Sequence, residues 1–415
     1  MSEWREVYLN EAYNICSGLS KPAKDFGSGF PFLSFKEVFN NFFVPPILSE
    51  LVESTDKERL NFSIQRGDVF LTRTSETIKE LGMSCVALKD YENATFNGFT
   101  KRLRPKGNFA IVPEYAGYYF RTSRFRGEIT AMSSASTRAS LNNEMIGRLK
   151  IILPSEEEQK RIAAVLSCLD AKIDNLRRQN ETLEKIAQTL FKHWFIDFEF
   201  PNDEGKPYKS SGGAMSPSEL GDIPAGWKVG KLGDVAKNIR LNIKENDILS
   251  NTPYIGLEHI PRKSIVLDTW SNSEDLSSNK FIFQKGQILF GKLRPYFHKV
   301  GVAFISGICS TDILVIDAIK QEYFGCLLML ISNDNFIKYV SSASEGTRMP
   351  RTNWEYMKNY LFPLSNQLKI YKDFTNFINS FLVKIDNNTK QIQTLTKTRD
   401  ALLPKLMSGE IRIKE

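Results

Sequence analysis

The residues of this chain best suited to chemistry are basic ones set among aromatics. The run Tyr118-Tyr-Phe-Arg-Thr-Ser-Arg-Phe-Arg126 interleaves the two kinds. Around it stand Arg73, Lys101, Arg102, Arg104, Arg121, Arg124, Arg126 and Arg138, and a second group comprises Lys292, Arg294, His298, Lys299, Arg348 and Arg351. Lysine and arginine meet phosphates, whereas arginine, asparagine and glutamine also pair with base edges, so both groups are candidates for DNA contact. For any one member the plain alternative is a solvated surface charge. A net charge of +7 attracts polyanions, although many proteins that never touch nucleic acid carry as much.

Enzyme chemistry has little to rest on. The sequence holds no GxxxxGK[ST] nucleotide loop, no HExxH metal pair and no glycine-rich cofactor loop after a strand. His193 lies beside Trp194, but with three histidines in the chain and no partner constellation it reads as a packing or docking residue. Cys16, Cys85, Cys168, Cys309 and Cys326 show neither close pairing nor metal-ligand spacing, and the N-terminus lacks the basic-then-apolar order of a secretory signal. These features point to a reducing cytoplasm. The longest apolar run, Phe324 to Ile331, is far shorter than the roughly 20 residues that span a bilayer.

The elements that position the basic residues are written twice. Trp4-Arg-Glu-Val-Tyr-Leu9 followed by Glu11-Ala12 matches Trp227-Lys-Val-Gly-Lys-Leu232 followed by Asp234-Val-Ala236. Gln65-Arg-Gly-Asp-Val-Phe-Leu71 matches Gln284-Lys-Gly-Gln-Ile-Leu-Phe290, a turn leading into a strand. Ser136-Thr-Arg138 with Asn143 and Pro154 matches Gly346-Thr-Arg348 with Asn353 and Pro363, and Lys172-Ile-Asp174 matches Lys384-Ile-Asp386. Four matches in one order indicate an internal repeat. Arg138 and Arg348 gain weight from it, since both copies place Thr-Arg just before the following helix. Their structural alternative is a pair bracing each globule against that helix.

Each copy reads as a mixed domain followed by a long helix free of internal Pro and Gly. In the first helix Ile162, Leu166, Leu169, Ile173, Leu176, Asn180, Leu183, Ala187 and Leu190 recur at spacings of four and three. In the second Phe374, Ile378, Phe381, Ile385, Asn388, Ile392, Leu395, Arg399 and Leu402 do the same. Such a seam supports coiled-coil pairing, with two separate amphipathic helices as the alternative. Parallel pairing would set Asn180 against Ile392 and Asn388 against Leu176; antiparallel pairing sets the two amides against each other, so the antiparallel arrangement is expected. Leu169 then faces Arg399, whose stem would lie along the seam with its charge outward. Gln159 precedes Ile173 by 14 residues and Gln367 precedes Ile385 by 18, so strict symmetry should fail by about one helical turn. His193-Trp194-Phe195-Ile196-Asp197-Phe198 is more aromatic than its counterpart Lys405 to Glu410, which suggests unequal docking surfaces.

These features resemble the specificity subunits of type I restriction-modification systems. Leu153-Pro154 with Glu158-Gln159-Lys-Arg-Ile162 resembles the family's first conserved helix, and Gly221-Asp-Ile-Pro-Ala-Gly-Trp227 the opening of its second recognition domain. Leu402-Leu403-Pro404 through Ser408-Gly-Glu-Ile-Arg412 resembles its closing phrase. The resemblance implies an α+β chain with two strand-rich target recognition domains, residues 1–153 and 227–362. It also implies conserved helices at 154–200 and 363–415 that pair as an antiparallel coiled coil, with a linker at 201–226. Its implied ligands are double-stranded DNA, two methyltransferase subunits and restriction/translocase subunits, with no membrane. S-adenosylmethionine, ATP and Mg would belong to those partners and no cofactor to this chain, which lacks the Asn/Asp-Pro-Pro-aromatic motif of the methyltransferases; Val44-Pro45-Pro46-Ile47 does not supply it. A scaffold that binds two protein ligands remains the alternative.

Overall fold

The structure, a computed structural model, describes residues 4–74, 80–133, 140–273, 278–342 and 349–413. Arg138 and Arg348 lie outside the described residues. The chain divides into two units, Met1–Ile173 with Thr394–Glu415, and Asp174–Gln393, so the boundary falls inside both long helices.

In the first unit, strand Arg5–Tyr8 pairs antiparallel with Lys150–Leu153, joining the ends of the globular part. Between them runs a four-stranded antiparallel sheet in the order Tyr13–Ser17, Thr100–Pro105, Val69–Thr72, Ser84–Val86. Its centre is the strand that the Gln65-Arg-Gly-Asp turn launches. Gly67 takes a φ of +90°, a value L side chains resist, and Asp68 Oδ2 accepts the Gln65 N–H at 2.8 Å. Successive residues of a strand face opposite ways. Val69 and Leu71 therefore join a core under helices Pro113–Tyr119 and Ser123–Ser133, whereas Phe70 joins a second core with Leu33, Cys85 and Phe96. That second core lies against the small sheet Glu50–Val52, Phe26–Leu33, Thr95–Phe96.

The second unit repeats the plan. Lys228–Lys231 pairs with Leu361–Leu364, and Ala236–Ile239, Ile313–Ala318, Ile288–Gly291 and Val300–Val302 form the four-stranded sheet. Gly286 has a φ of +91°, and Gln287 Oε1 accepts the Gln284 N–H at 2.8 Å where Asp68 does so in the first copy. Ile288 and Phe290 face the helix-side core and Leu289 the other. The apolar run Phe324–Ile331 is a buried helix, and among the described residues no helix is long and apolar enough to cross a membrane.

The long helices are Glu156–Phe191 and Leu368–Ser408. The first opens on Glu156, Glu157 and Glu158, which suit the positive end of the helix dipole. Inside the first unit Glu158 pairs with Arg412 and Asp170 with Arg399, so one segment rises as the other falls. Inside the second, Asn388 Nδ2 donates to Asn180 Oδ1 at 2.8 Å and Phe374 packs on Phe191, again antiparallel. Ile162, Leu166, Ile173, Leu176, Asn180, Ala187, Phe374, Ile378, Ile385, Asn388 and Ile392 are buried; Leu169, Leu183, Leu190, Phe381, Leu395 and Leu402 are partly so. Each helix also packs on a globular core, through Leu166 and Leu403 in the first unit and Ala187 and Phe374 in the second. The pairing and own-globule arrangements thus coexist.

Several sequence expectations need correcting. The second helix is not free of proline: Pro404 sits within its last turns, where burial of Leu403, Leu406 and Met407 holds the chain helical despite the missing N–H. Arg399 does not carry its charge outward; Nη1 donates to Asp170 Oδ1 at 2.7 Å and the guanidinium lies over the Phe42 ring. The aromatic rings after Phe191 are core and not surface: Trp194, Phe195 and Phe198 are buried in the second unit's core with Tyr371, Phe374 and Trp227, and of His193–Phe198 only His193 and Ile196 are exposed. The stretch after Pro201 is folded onto the same unit, Phe200 stacking on Tyr208 and Trp227. The helix starts also differ, as the four-residue offset requires. Gln159 Nε2 donates to the Ala110 and Pro154 carbonyls, whereas Ser365 N–H is met by the Tyr371 hydroxyl.

The amide layer yields a prediction. Asn388 is fully buried, and its second contact, to Gln179 Oε1, is long at 3.4 Å. Asn180→Leu leaves the Asn388 amide without its main partner and should cost about 1–3 kcal/mol. Replacing both by Leu should recover much of that, giving strong coupling in a double-mutant cycle read by urea denaturation. Additive losses would contradict the pairing.

Candidate nucleic-acid interface

The central strand of each globular part ends in a cation tied to the same neighbours. After Val69–Thr72, Arg73 donates its N–H to the Phe99 carbonyl and accepts from Leu141 N–H, and Thr74 bridges to Ser140. After Ile288–Gly291, Lys292 donates to the Asp312 carbonyl and accepts from Thr352 N–H, and Leu293 bridges to Arg351. The repeat thus brings the strand end beside the segment that leads to the long helix. That segment begins a few residues after Arg138 in one copy and Arg348 in the other. Asn142 and Asn353 cap the short helices that follow, so Asn142, one residue before the Asn143 matched by sequence, is the true counterpart of Asn353.

Around these strand ends the surface is basic and partly aromatic. Arg73 stands 5.9 Å from the ring of Phe99, an exposed residue, and Arg351 pairs loosely with Asp312 at 3.4 Å. Arg294 is exposed, with its N–H bound to the Pro350 carbonyl. The neighbouring Arg262, Tyr296 and Phe297 were missed by sequence reasoning. For Tyr296 and Phe297 the signal was present, since Arg294-Pro-Tyr-Phe-His298 interleaves the same residue types as Tyr118–Arg126.

Other candidates are engaged within the protein: Lys101, Arg102 and His298 are buried, and Arg104, Arg121, Arg126 and Lys299 partly so. Lys101 Nζ donates to Ser17 Oγ and Asn143 Oδ1, and burial, with Arg73 adding to it, pushes its ammonium below the usual range. Arg102 donates to the Ser63 carbonyl at 2.6 Å, its guanidinium destabilised by burial. Arg104 grips Asp68 with two bonds of 2.8 and 2.6 Å, which raise its pKa. Arg121 donates to the carbonyls of Ser84, Val38, Phe39 and Asn41, and burial pulls it down to about 10. Arg126 reaches the Leu81 carbonyl. His298 bonds through Nε2 to the Ser332 carbonyl, and Lys299 caps the Leu257 carbonyl. The physical reason is common to most of them. Loop carbonyls beside the sheet need donors, and a guanidinium offers five in one plane. Arg124 is exposed but lies between Glu6 and Glu128. Among the described residues no group of three or more His, Cys, Asp or Glu is placed to hold a metal.

A duplicated α+β unit carrying paired helices, with a cation held in the same backbone frame at the end of each central strand, defines the class of the fold. A family model described as the type I restriction modification DNA specificity domain matches residues 1–185 and 224–397, and the chain belongs to that family. It is 29% identical to the type I restriction enzyme MjaIX specificity subunit of Methanocaldococcus jannaschii, over 100% of this chain and 94% of the relative. It is 23% identical to the HindI specificity subunit of Haemophilus influenzae, over 99% and 100%. The crystal structure of a type I restriction-modification S subunit from M. genitalium shares the fold, with a TM-score of 0.55 at 14% identity over 97% of this chain and 96% of that one.

Proposed function

We propose that the chain is the sequence-reading, non-catalytic subunit of a type I restriction-modification complex. In this reading residues 1–153 and 227–362 are its two target recognition domains, 154–200 and 363–415 its conserved helices, and 201–226 the link between them. The observation that carries it is the repeated strand end, which sets Arg73 and Lys292 in the same bonding frame within two domains of different surface. Equivalent frames with unlike side chains suit a bipartite target whose halves differ. Arg73, Arg138, Lys292, Arg294, Arg348 and Arg351 are the cations assigned to DNA. Two methyltransferase subunits and restriction/translocase subunits would complete the assembly, holding S-adenosylmethionine, ATP and Mg. Five free cysteines accord with the reducing cytoplasm in which such an assembly would work.

Anisotropy titration of the chain on mixed duplex DNA across salt concentrations tests this reading. Log affinity should fall with log salt at a slope near −0.9 per phosphate contacted. The isolated chain should transfer no methyl group and should gain sequence-specific methylation only with a partner methyltransferase subunit. Salt-independent binding, or methyl transfer by the pure chain, would favour a different function.

A further inference from the structure

The loop Arg294–His298 is built more firmly than a connector of its length requires. Two of its non-glycine residues, Arg294 at φ 51° and His298 at φ 53°, stand in the left-handed region, with Pro295–Phe297 as a single tight turn between them. Such backbone persists where surroundings enforce it, and it clusters at binding and switch sites. Here the enforcing contacts are visible. His298 is buried, its Nε2 on the Ser332 carbonyl at 2.8 Å and its Nδ1 3.3 Å from Asp334, and its own carbonyl accepts the Lys263 N–H. The guanidinium of Arg262 lies 3.9 Å above the Phe297 ring. The loop displays Tyr296, 52% exposed and edge-on to the Phe297 ring at 4.8 Å, and exposed Arg294, whose guanidinium stands 5.9 Å from the same ring.

We infer that this loop is the base-reading finger of the second domain. Tyr296 and Arg294 would meet base edges of one half-site, and Arg262 would hold a flanking phosphate. The assignment rests on the specificity-subunit reading above and adds to it which residues set sequence. A side chain can discriminate bases only if its position is fixed, and the anchored turn fixes two at the tip. Arginine offers a planar fork that matches guanine, and a guanidinium held over a ring still has N–H groups to offer a phosphate. Asp334 lies beside the buried support His298 and Asp312 beside Arg351, so neither of these two carboxylates is paired with Arg294 or Arg262.

The experiment uses the chain assembled with its partner methyltransferase subunit and a duplex set carrying every single base-pair change in both half-sites. Tyr296→Ala and Arg294→Ala should each lose discrimination by roughly 5- to 150-fold at one or two base pairs of one half-site, and none in the other. Arg262→Ala should weaken all duplexes alike and flatten the salt slope by about one. Arg294→Lys covers the case in which alanine disturbs the left-handed turn; it keeps the charge, loses the fork and should lose the same discrimination with affinity for mismatched duplex unchanged. Variants that discriminate like the wild type at every position, or that lose both half-sites together, overturn the finger assignment. A wild-type assembly with no sequence preference would instead overturn the specificity reading, and the finger with it.

Discussion

Exchange of residues 1–153 for the matching segment of a relative should replace one half of the recognised sequence and leave the other half as it was. The segment carries its own core and joins its first strand to its last, Arg5–Tyr8 on Lys150–Leu153, so it can travel as a body. What it must match is the helix pair of its own unit. Trp4 Nε1 donates to Glu158, the Val112 N–H and Ala110 carbonyl meet Gln159, and the Tyr118 hydroxyl donates to Asp170 at 2.6 Å. Phe42 lies under Arg399. A donor segment with Trp and Tyr at the first and last of these places should give full assembly, whereas one without them should give the same new half-site at lower yield. Sequencing the methylated positions of the hybrid checks the outcome. A change in both half-sites would mean that the two domains do not read independently.

Arg121→Ala should cost the first unit roughly 3–5 kcal/mol, because four carbonyls lose the donor that satisfies them within a largely enclosed site. Arg121→Lys should restore little, since one ammonium cannot span acceptors that a planar fork reaches together. The salt slope of DNA binding should be unchanged for protein that remains folded. Urea denaturation and a salt titration on the same preparation measure both quantities. Unaltered stability with a slope flattened by about one would return Arg121 to the DNA-contact set.

The contrast between Arg121 and Arg294 shows where sequence reading ran out. Both are arginines among aromatics, and nothing in their spacing tells which one carbonyl-rich loops will enclose. Arg121 follows a helix end where Tyr118, Tyr119 and the capping Phe120 are all buried, and it is drawn in with them. Arg294 is turned out by a left-handed backbone that no pattern announced. The repeat was legible because a glycine turn and a buried strand impose the same residue types wherever they recur, as at Gln65–Leu71 and Gln284–Phe290. Antiparallel helices were legible because a buried amide needs a partner and only one alignment supplies it. Details at the ends were not: burial passes from Leu402 to Leu403 where the globular core takes over from the helix partner, and Arg399 finds Asp170, a neighbour of the position it was set against.

The central claim is that two unlike domains of one chain each specify half of a DNA target, and methylation mapping tests it most directly. DNA from cells expressing this chain with its partner methyltransferase subunit should carry methyladenine at one bipartite motif, two different short sequences separated by a spacer of fixed length and free composition. A single uninterrupted motif, or methylation that does not depend on this chain, would contradict it.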